Sequence, residues 1–526
     1  MKTYKLFIAA AVALVTLGSC SNFLTTELTD KKTDASYYKT PSDAYTALVG
    51  CYNGLNLIWN PGVAFPVVSE VFSDNCFGGT GSSDGFGYQL LDQFNPKLST
   101  SDKDIFESAW KAYYQAIYRC NVLLSKLDQV DWGTQTALRA QYEAEAKFIR
   151  ATLYFDLARL FEKVPLLTTP TKDNVPQSDA ETMYKQIMTD LRFAVTNIPS
   201  QDYSKTPSGR VTKWAAESML ARVYLFYSGY YGVSEIGGET AATALAAVED
   251  VIQYSKHDLV SDYNTLWPAA SISKGVTYVG EDNKEVVFAI KYTGNGDYNG
   301  NITGNGWMIM TGMREQSVYP YGYGWGACTV DPKLIAQFDK AKDSRFFASI
   351  TSITDENLAF TKSASNREYT GYFMKKYSPL CDKDNNTLPN VNYSIAQSQD
   401  YFVIRYSDVL LMAAELGSPN AASYYNKVHQ RAIPTATAVT SVTKADILAE
   451  RRLEFTGEGV RYWDVLRQGL QTAATTIANN TTLSISTGSP SASKIISNIT
   501  ATRGFQQIPN NQITLSAGVL KQNAGW

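Results

Sequence analysis

Ala144-Glu-Ala146-Lys-Phe148-Ile149-Arg150-Ala151-Thr-Leu153-Tyr154-Phe155-Asp-Leu157-Ala-Arg159-Leu160-Phe161 is the stretch whose reading decides the fold. With Tyr142 ahead of it, the positions Tyr142, Ala146, Ile149, Leu153, Leu157 and Leu160 step by three or four, one face of a long helix that Pro165 ends. Working towards the N-terminus, Phe106, Trp110, Tyr113, Ile117, Cys120 and Leu124 repeat the pattern between Ser101 and about Asp128. Towards the C-terminus, Ser178-x-x-Glu181 has the form of a capping box and predicts a third helix, through Tyr184, Ile187 and Leu191 up to Pro199. A fourth is predicted from Thr212 to about Tyr227, and a fifth, rich in Ala, from Ala241 to Tyr254.

Successive amphipathic helices with short joints predict a mostly α fold of antiparallel pairs stacked in the tetratricopeptide (TPR-like) manner, although a plain helical bundle packs by the same rules. From about 259 to 400 the helical period lapses, apart from Pro332 to Lys340, and Gly, Asn, Ser and Tyr rise. Strand-like runs stand at Glu285–Tyr292 and Thr370–Tyr377. Helices are expected again at Ile404–Leu416, Ala421–Ala432, Lys444–Phe455 and Val460–Gln468. The reading is therefore one helical scaffold (about 40–258 and 401–470) that carries a loop-rich, ligand-binding insertion with short strands.

The 526 residues are 44% hydrophobic and 18% charged, with 47 basic against 50 acidic side chains, a globular composition without the basic clusters that nucleic acid requires. At the N-terminus, Lys2 and Lys5 precede an apolar run from Leu6 to Leu17. As a helix it reaches about 18 Å, short of the roughly 30 Å of a membrane core, so it reads as a secretory signal. Leu17-Gly18-Ser19-Cys20 resembles the bacterial lipobox, which implies removal of residues 1–19 and lipidation of Cys20, the acyl chains holding the protein to a membrane. The other five cysteines (Cys51, Cys76, Cys120, Cys328 and Cys381) form no Cys-x-x-Cys pair, and with only His257 and His429 a zinc or haem site is not expected. Cys120 lies on a helical apolar stripe and reads as a buried small hydrophobe, and a disulfide between two of the others is allowed outside the cytoplasm, although the sequence does not choose the pair.

Two loops carry the candidate site. Tyr319-Pro-Tyr321-Gly-Tyr323-Gly-Trp325, preceded by Trp307 and Arg314, strings aromatic rings between Gly and Pro. Asp74-Asn75-Cys76-Phe77, running on to Tyr88, has the same character. Sugars present C–H faces that pack on aromatic planes, while Asn, Asp and Arg take up the hydroxyls. Any one of these rings could equally pack its loop onto the scaffold.

Several segments resemble the SusD/RagB family of outer-membrane nutrient-binding lipoproteins. They include Cys20 followed by Asn22-Phe23-Leu24, then Trp110-x-x-x-Tyr114-x-x-Ile117-x-x-x-Asn121, and the opening stretch running into Val164-Pro165-Leu166. They continue with Gly209-Arg210, Ile404-Arg405-Tyr406-x-Asp408, Glu450-Arg451-Arg452-x-Glu454-Phe455-x-x-Glu458-Gly459-x-Arg461-x-x-Asp464-x-x-Arg467, and the ending Ile508-Pro509 with Gln522-Asn523. The resemblance spans essentially the whole chain and implies one SusD-like domain over 20–526, an α superhelix. It also implies a lipid-anchored protein at the cell exterior that binds a glycan and lies over a SusC-like TonB-dependent transporter, without cofactor or catalysis.

Other motifs read as structural. The charges from Arg451 to Arg467 are spaced to pair along a helical face, and Arg150, Arg159, Arg210 and Arg405 are read the same way. Asp382-Lys-Asp384-Asn-Asn386 opens like a calcium loop but lacks its Gly and its bidentate Glu, so a solvated turn is expected. No nucleophile or zinc-hydrolase motif is present. A glycoside hydrolase using an unrecognised Asp/Glu pair stays open, as does a lipoprotein that only caps a transporter.

Overall fold

The structure of the protein is a computed structural model describing residues 37–58, 64–81, 83–85, 87–95, 104–297, 303–363, 365–478 and 491–526. The signal segment and Cys20 lie outside the described residues.

Helix α1 (Pro41–Leu57) starts at a capping box, in which the Asp43 N–H donates to Thr40 Oγ1 at 3.2 Å and the Thr40 N–H donates to the Asp43 carboxylate at 3.0 Å. It packs on α2 (Glu107–Lys126) and α3 (Thr136–Phe161). From there α3, α4 (Ala180–Asn197), α5 (Lys213–Tyr231) and α6 (Ala241–Tyr254) each lie against the next, so neighbours in sequence are neighbours in space. The α4 cap differs from the one expected. The Ser178 N–H is tied to the Val164 carbonyl at 3.0 Å, and Asp179, in extended backbone, takes the cap by accepting from the Thr182 N–H at 2.8 Å.

After the insertion, α7 (Tyr406–Glu415) docks on α6 and continues the stack with α8 (Ala421–Ala432) and α9 (Lys444–Glu454). The scaffold runs past the expected end near 470, through α10 (Arg461–Leu466), α11 (Leu470–Ala478) and α12 (Ala492–Thr502). The helix expected from Ile404 begins only at Tyr406, because Tyr401–Arg405 is a strand paired antiparallel with Val286–Ile290. The Tyr406 N–H donates to the Glu285 carbonyl at 2.7 Å at that junction.

Among the described residues the strands of three residues or more are β1 (Cys76–Gly78), β2 (Val286–Ile290), β3 (Cys328–Val330), β4 (Ile350–Ser352), β5 (Tyr372–Met374) and β6 (Tyr401–Arg405). An antiparallel sheet of order β1-β3-β5-β4 carries Phe77 opposite Thr329 and Thr329 opposite Phe373. Since β1 belongs to the helical half of the sequence, this sheet fastens the insertion to the scaffold. The scaffold and most of the insertion share one apolar core, and a second small cluster gathers Ala269, Met313, Tyr321 and Phe373.

The charged run is structural but pairs mainly across elements. Positive φ at Gly457 and Gly459 breaks the chain between α9 and α10, so the expected single charged face is divided. Arg461 turns to Asp74 at 2.8 Å, Arg451 holds Asp408 and Asp464, and of the expected pairs only Asp464–Arg467, at 2.8 Å, forms at its i,i+3 spacing, from α10 to the residue that caps it. Arg405, fully buried, is ringed by Glu285 at 2.5 Å, Glu454 at 2.8 Å and Glu458 at 2.7 Å.

Candidate functional site

The aromatic segment is shaped by backbone contacts that only glycine permits. Met313–Arg314 pairs parallel with Tyr323–Gly324, and a Cβ on Gly324 would lie 2.3 Å from the Gly312 backbone. From this crossing the chain is tied down residue by residue. The Trp325 N–H donates to the Ile309 carbonyl at 2.7 Å, and the Ala327 N–H donates to the Met310 carbonyl at 2.8 Å. A fixed backbone leaves Trp325 39% exposed on the surface.

Beside it opens a cleft of about 520 Å³, lined among others by Asp84, Tyr88, Met310, Arg314, Tyr323 and Trp325. Arg314 organises its polar wall. The guanidinium donates to Asp84 at 2.9 Å and to the Trp325 carbonyl at 3.3 Å, and pairs with Glu315 at 2.7 Å. Arg367 fixes the facing loop through the carbonyls of Asp84 (2.8 Å) and Gly85 (2.9 Å). Tyr323 meets Tyr393 edge to face with centroids 5.6 Å apart, and its backbone N–H donates to Thr387 Oγ1 at 3.3 Å. Tyr88 is half-buried, and burial pushes its phenol up, so the hydroxyl stays neutral. Asp84 and Met310 were not singled out from sequence: Asp84 sits in an unremarkable Ser/Gly loop and Met310 resembles a core residue.

Of the residues expected to bind, Tyr88, Arg314, Tyr323 and Trp325 converge on this cleft. Tyr319 is exposed but stands apart from the cleft lining, its N–H on Asn385 Oδ1 at 2.9 Å. Five others are buried structural groups. Phe77 lies inside β1, and Trp307 is packed against Tyr377 and Tyr401 at 5.0 and 5.5 Å, with its Nε1–H on the Tyr292 hydroxyl. The buried Tyr321 donates its hydroxyl to Glu356. Burial pushes the Asp74 carboxyl up, but Arg461 and Arg452 override this and hold it below the usual carboxylate range. Asn75 accepts from Arg452 Nε at 3.0 Å. All five face partners that the chain itself supplies.

Asp382 forms a turn, its carboxylate accepting from the N–H groups of Asp384 and Asn386, each at 2.9 Å. Among the described residues no cluster of three His, Cys, Asp or Glu side chains is arranged to hold a metal ion, and no helix is long and apolar enough to cross a membrane.

The model of the SusD family matches residues 284–526, and that described as starch-binding associating with outer membrane matches 86–225. The chain belongs to the SusD family. A SusD-like protein of Bacteroides ovatus is 24% identical over 489 residues, covering 88% of this chain and 82% of that one. Among solved SusD-like structures, a laminarin-binding protein superposes with a TM-score of 0.74 at 27% identity, covering 93% of this chain and all of the other. Surface glycan-binding protein A from Bacteroides thetaiotaomicron superposes with a TM-score of 0.74 at 25% identity, covering 93% and 99%. The SusD-like superhelix thus accounts for both the stacked helices and the inserted sheet.

Proposed function

We propose that this SusD-family chain is a surface glycan-binding lipoprotein whose binding cleft lies between Trp325, Tyr323, Tyr88 and the Arg314–Asp84 pair. The observation that carries the reading is the exposed Trp325 ring held rigidly beside a charged, hydrogen-bonding wall. The indole and phenol faces take the C–H faces of sugar rings, and Asp84, Arg314 and the Tyr88 hydroxyl take their hydroxyls. The cleft volume falls in the range of roughly 300–1,000 Å³ usual for small-ligand sites. Acylation of Cys20 anchors the protein to the outer membrane facing the exterior, and a SusC-like TonB-dependent transporter receives the captured oligosaccharide. Laminarin is the first ligand to try, because a relative of known structure is named for binding it.

The test is affinity electrophoresis of the protein starting at Ser21 in gels containing laminarin and a panel of other polysaccharides, with a reducing-end assay on each hit. Retardation without new reducing ends supports binding without cleavage, and cleavage would move the protein to the hydrolases. Trp325→Ala combined with Tyr323→Ala should weaken retardation at least tenfold. Unchanged retardation in that variant removes the cleft from the proposal.

A further inference from the structure

Helices α1 and α2 approach closely enough that a Cβ on Gly54 would lie 2.8 Å from Ala116 Cβ. Arg119 Nη1 donates to the Gly50 carbonyl at 3.1 Å and to Asn53 Oδ1 at 2.9 Å, which fixes the two helices antiparallel in this register. One turn back from Gly54 on α1 is Cys51, and one turn on from Ala116 along α2 is Cys120. Both are fully buried, and the two thiols are within hydrogen-bonding reach of each other. Cys76 and Cys328 also bring their thiols within reach of each other, but they do so as diagonal neighbours on adjacent strands, Cys76 standing opposite Val330 and Cys328 opposite Gly78, roughly 7–8 Å apart at Cα and outside normal disulfide geometry. Cys328 and Cys381 donate their thiols to the carbonyls of Val67 and Tyr321, at 3.4 and 3.2 Å.

We propose that Cys51 and Cys120 are joined by a disulfide in the exported protein, locking α1 onto α2, while Cys76, Cys328 and Cys381 stay as thiols. The inference rests on the surface-lipoprotein reading for its oxidising compartment. The two thiols lose two protons and two electrons as the sulfur–sulfur bond forms. A disulfide-bearing thiol oxidant accepts the electrons, its own sulfur–sulfur bond breaking to give two thiols. Because both sulfurs end up sealed in the core, exchange takes place before the helices close. The bond then constrains a loop of roughly 70 residues in the unfolded chain, a length at which cross-linking is strongly stabilising.

The full chain is produced in a Gram-negative host, its membranes are collected, and the protein is alkylated under denaturing, non-reducing conditions and mapped by mass spectrometry. The expected result is a Cys51–Cys120 linked peptide, lighter by two hydrogens than the two thiol peptides and separated by reductant, with alkyl groups on Cys76, Cys328 and Cys381. Alkylation of both Cys51 and Cys120 in membrane-borne protein overturns the cross-link, as does a link between any other pair. If the chain stays in the cytoplasm the lipoprotein reading fails instead. Protein refolded in a mixed oxidised and reduced glutathione buffer then decides the cross-link by the same map. Reduction of the linked protein should lower its melting temperature by about 5 °C.

Discussion

Gly324 shows how narrowly the binding surface is specified. A methyl group there meets the Gly312 backbone at 2.3 Å, so Gly324→Ala must force the two segments apart and displace Trp325. The expected outcome is loss of glycan retardation, while far-UV circular dichroism keeps its helical signature; full binding by that variant would show that the crossing does not position the ring. The two tryptophans make the complementary case. Trp307→Ala empties a packed core position and should cost about 3–5 kcal/mol in urea denaturation, whereas Trp325→Ala, half in solvent, should cost under about 0.5 kcal/mol. In sequence these tryptophans look alike, as do Tyr321 and Tyr323. The alternation Tyr319, Tyr321, Tyr323, Trp325 suggests one shared face, but Val318 and Tyr321 close a turn on each other and only Tyr323–Gly324 is strand, which sends Tyr321 into the core.

Among the elements, it is the arginines that bolt the second helical segment to the first. Arg222 of α5 and Arg451 of α9 both hold Asp408 of α7, and Arg467, just after α10, holds Glu415 at the end of α7. Burial raises the Glu415 carboxyl, but the Arg467 guanidinium outweighs it and brings the group down to about 2; Asp408, between two guanidiniums, is likewise held below the usual range. A carboxylate depressed in the folded state stabilises it above the unfolded value near 4, and that contribution is lost as pH falls towards the folded value. Urea midpoints should therefore drop steeply between pH 4.5 and about 2.5; a flat profile there would mean these pairs do not support the fold. Arg405→Met leaves Glu285, Glu454 and Glu458 facing one another without this guanidinium and should cost about 3–5 kcal/mol or more at pH 7, measured in the same way. The helices themselves were legible as apolar stripes, and Ala241–Tyr254 and Ala421–Ala432 run as read. Their ion-pair partners were not, since Arg461 and Asp74 lie 387 positions apart.

For the molecule as a whole, binding to the folded state alone raises apparent stability by mass action, about 2.7 kcal/mol at one hundred times the dissociation constant. A bound glycan should thus raise the melting temperature in a dose-dependent way, and Trp325→Ala with Tyr323→Ala should abolish the shift. Cys20→Ala should move the protein from the membrane to the soluble fraction, checked by fractionation and fatty-acid labelling. Retention in the membrane would point to another anchor. The sequence by itself determined the helical stack, the position of the loop-rich insertion and the family, because apolar periodicity and local motifs are written within a few turns of chain. Only the tertiary structure decided which rings face solvent, which acids neutralise which arginines, and which cysteines meet. Each of those outcomes depends on groups brought together from distant positions, where burial and close backbone approach, not residue type, set the chemistry.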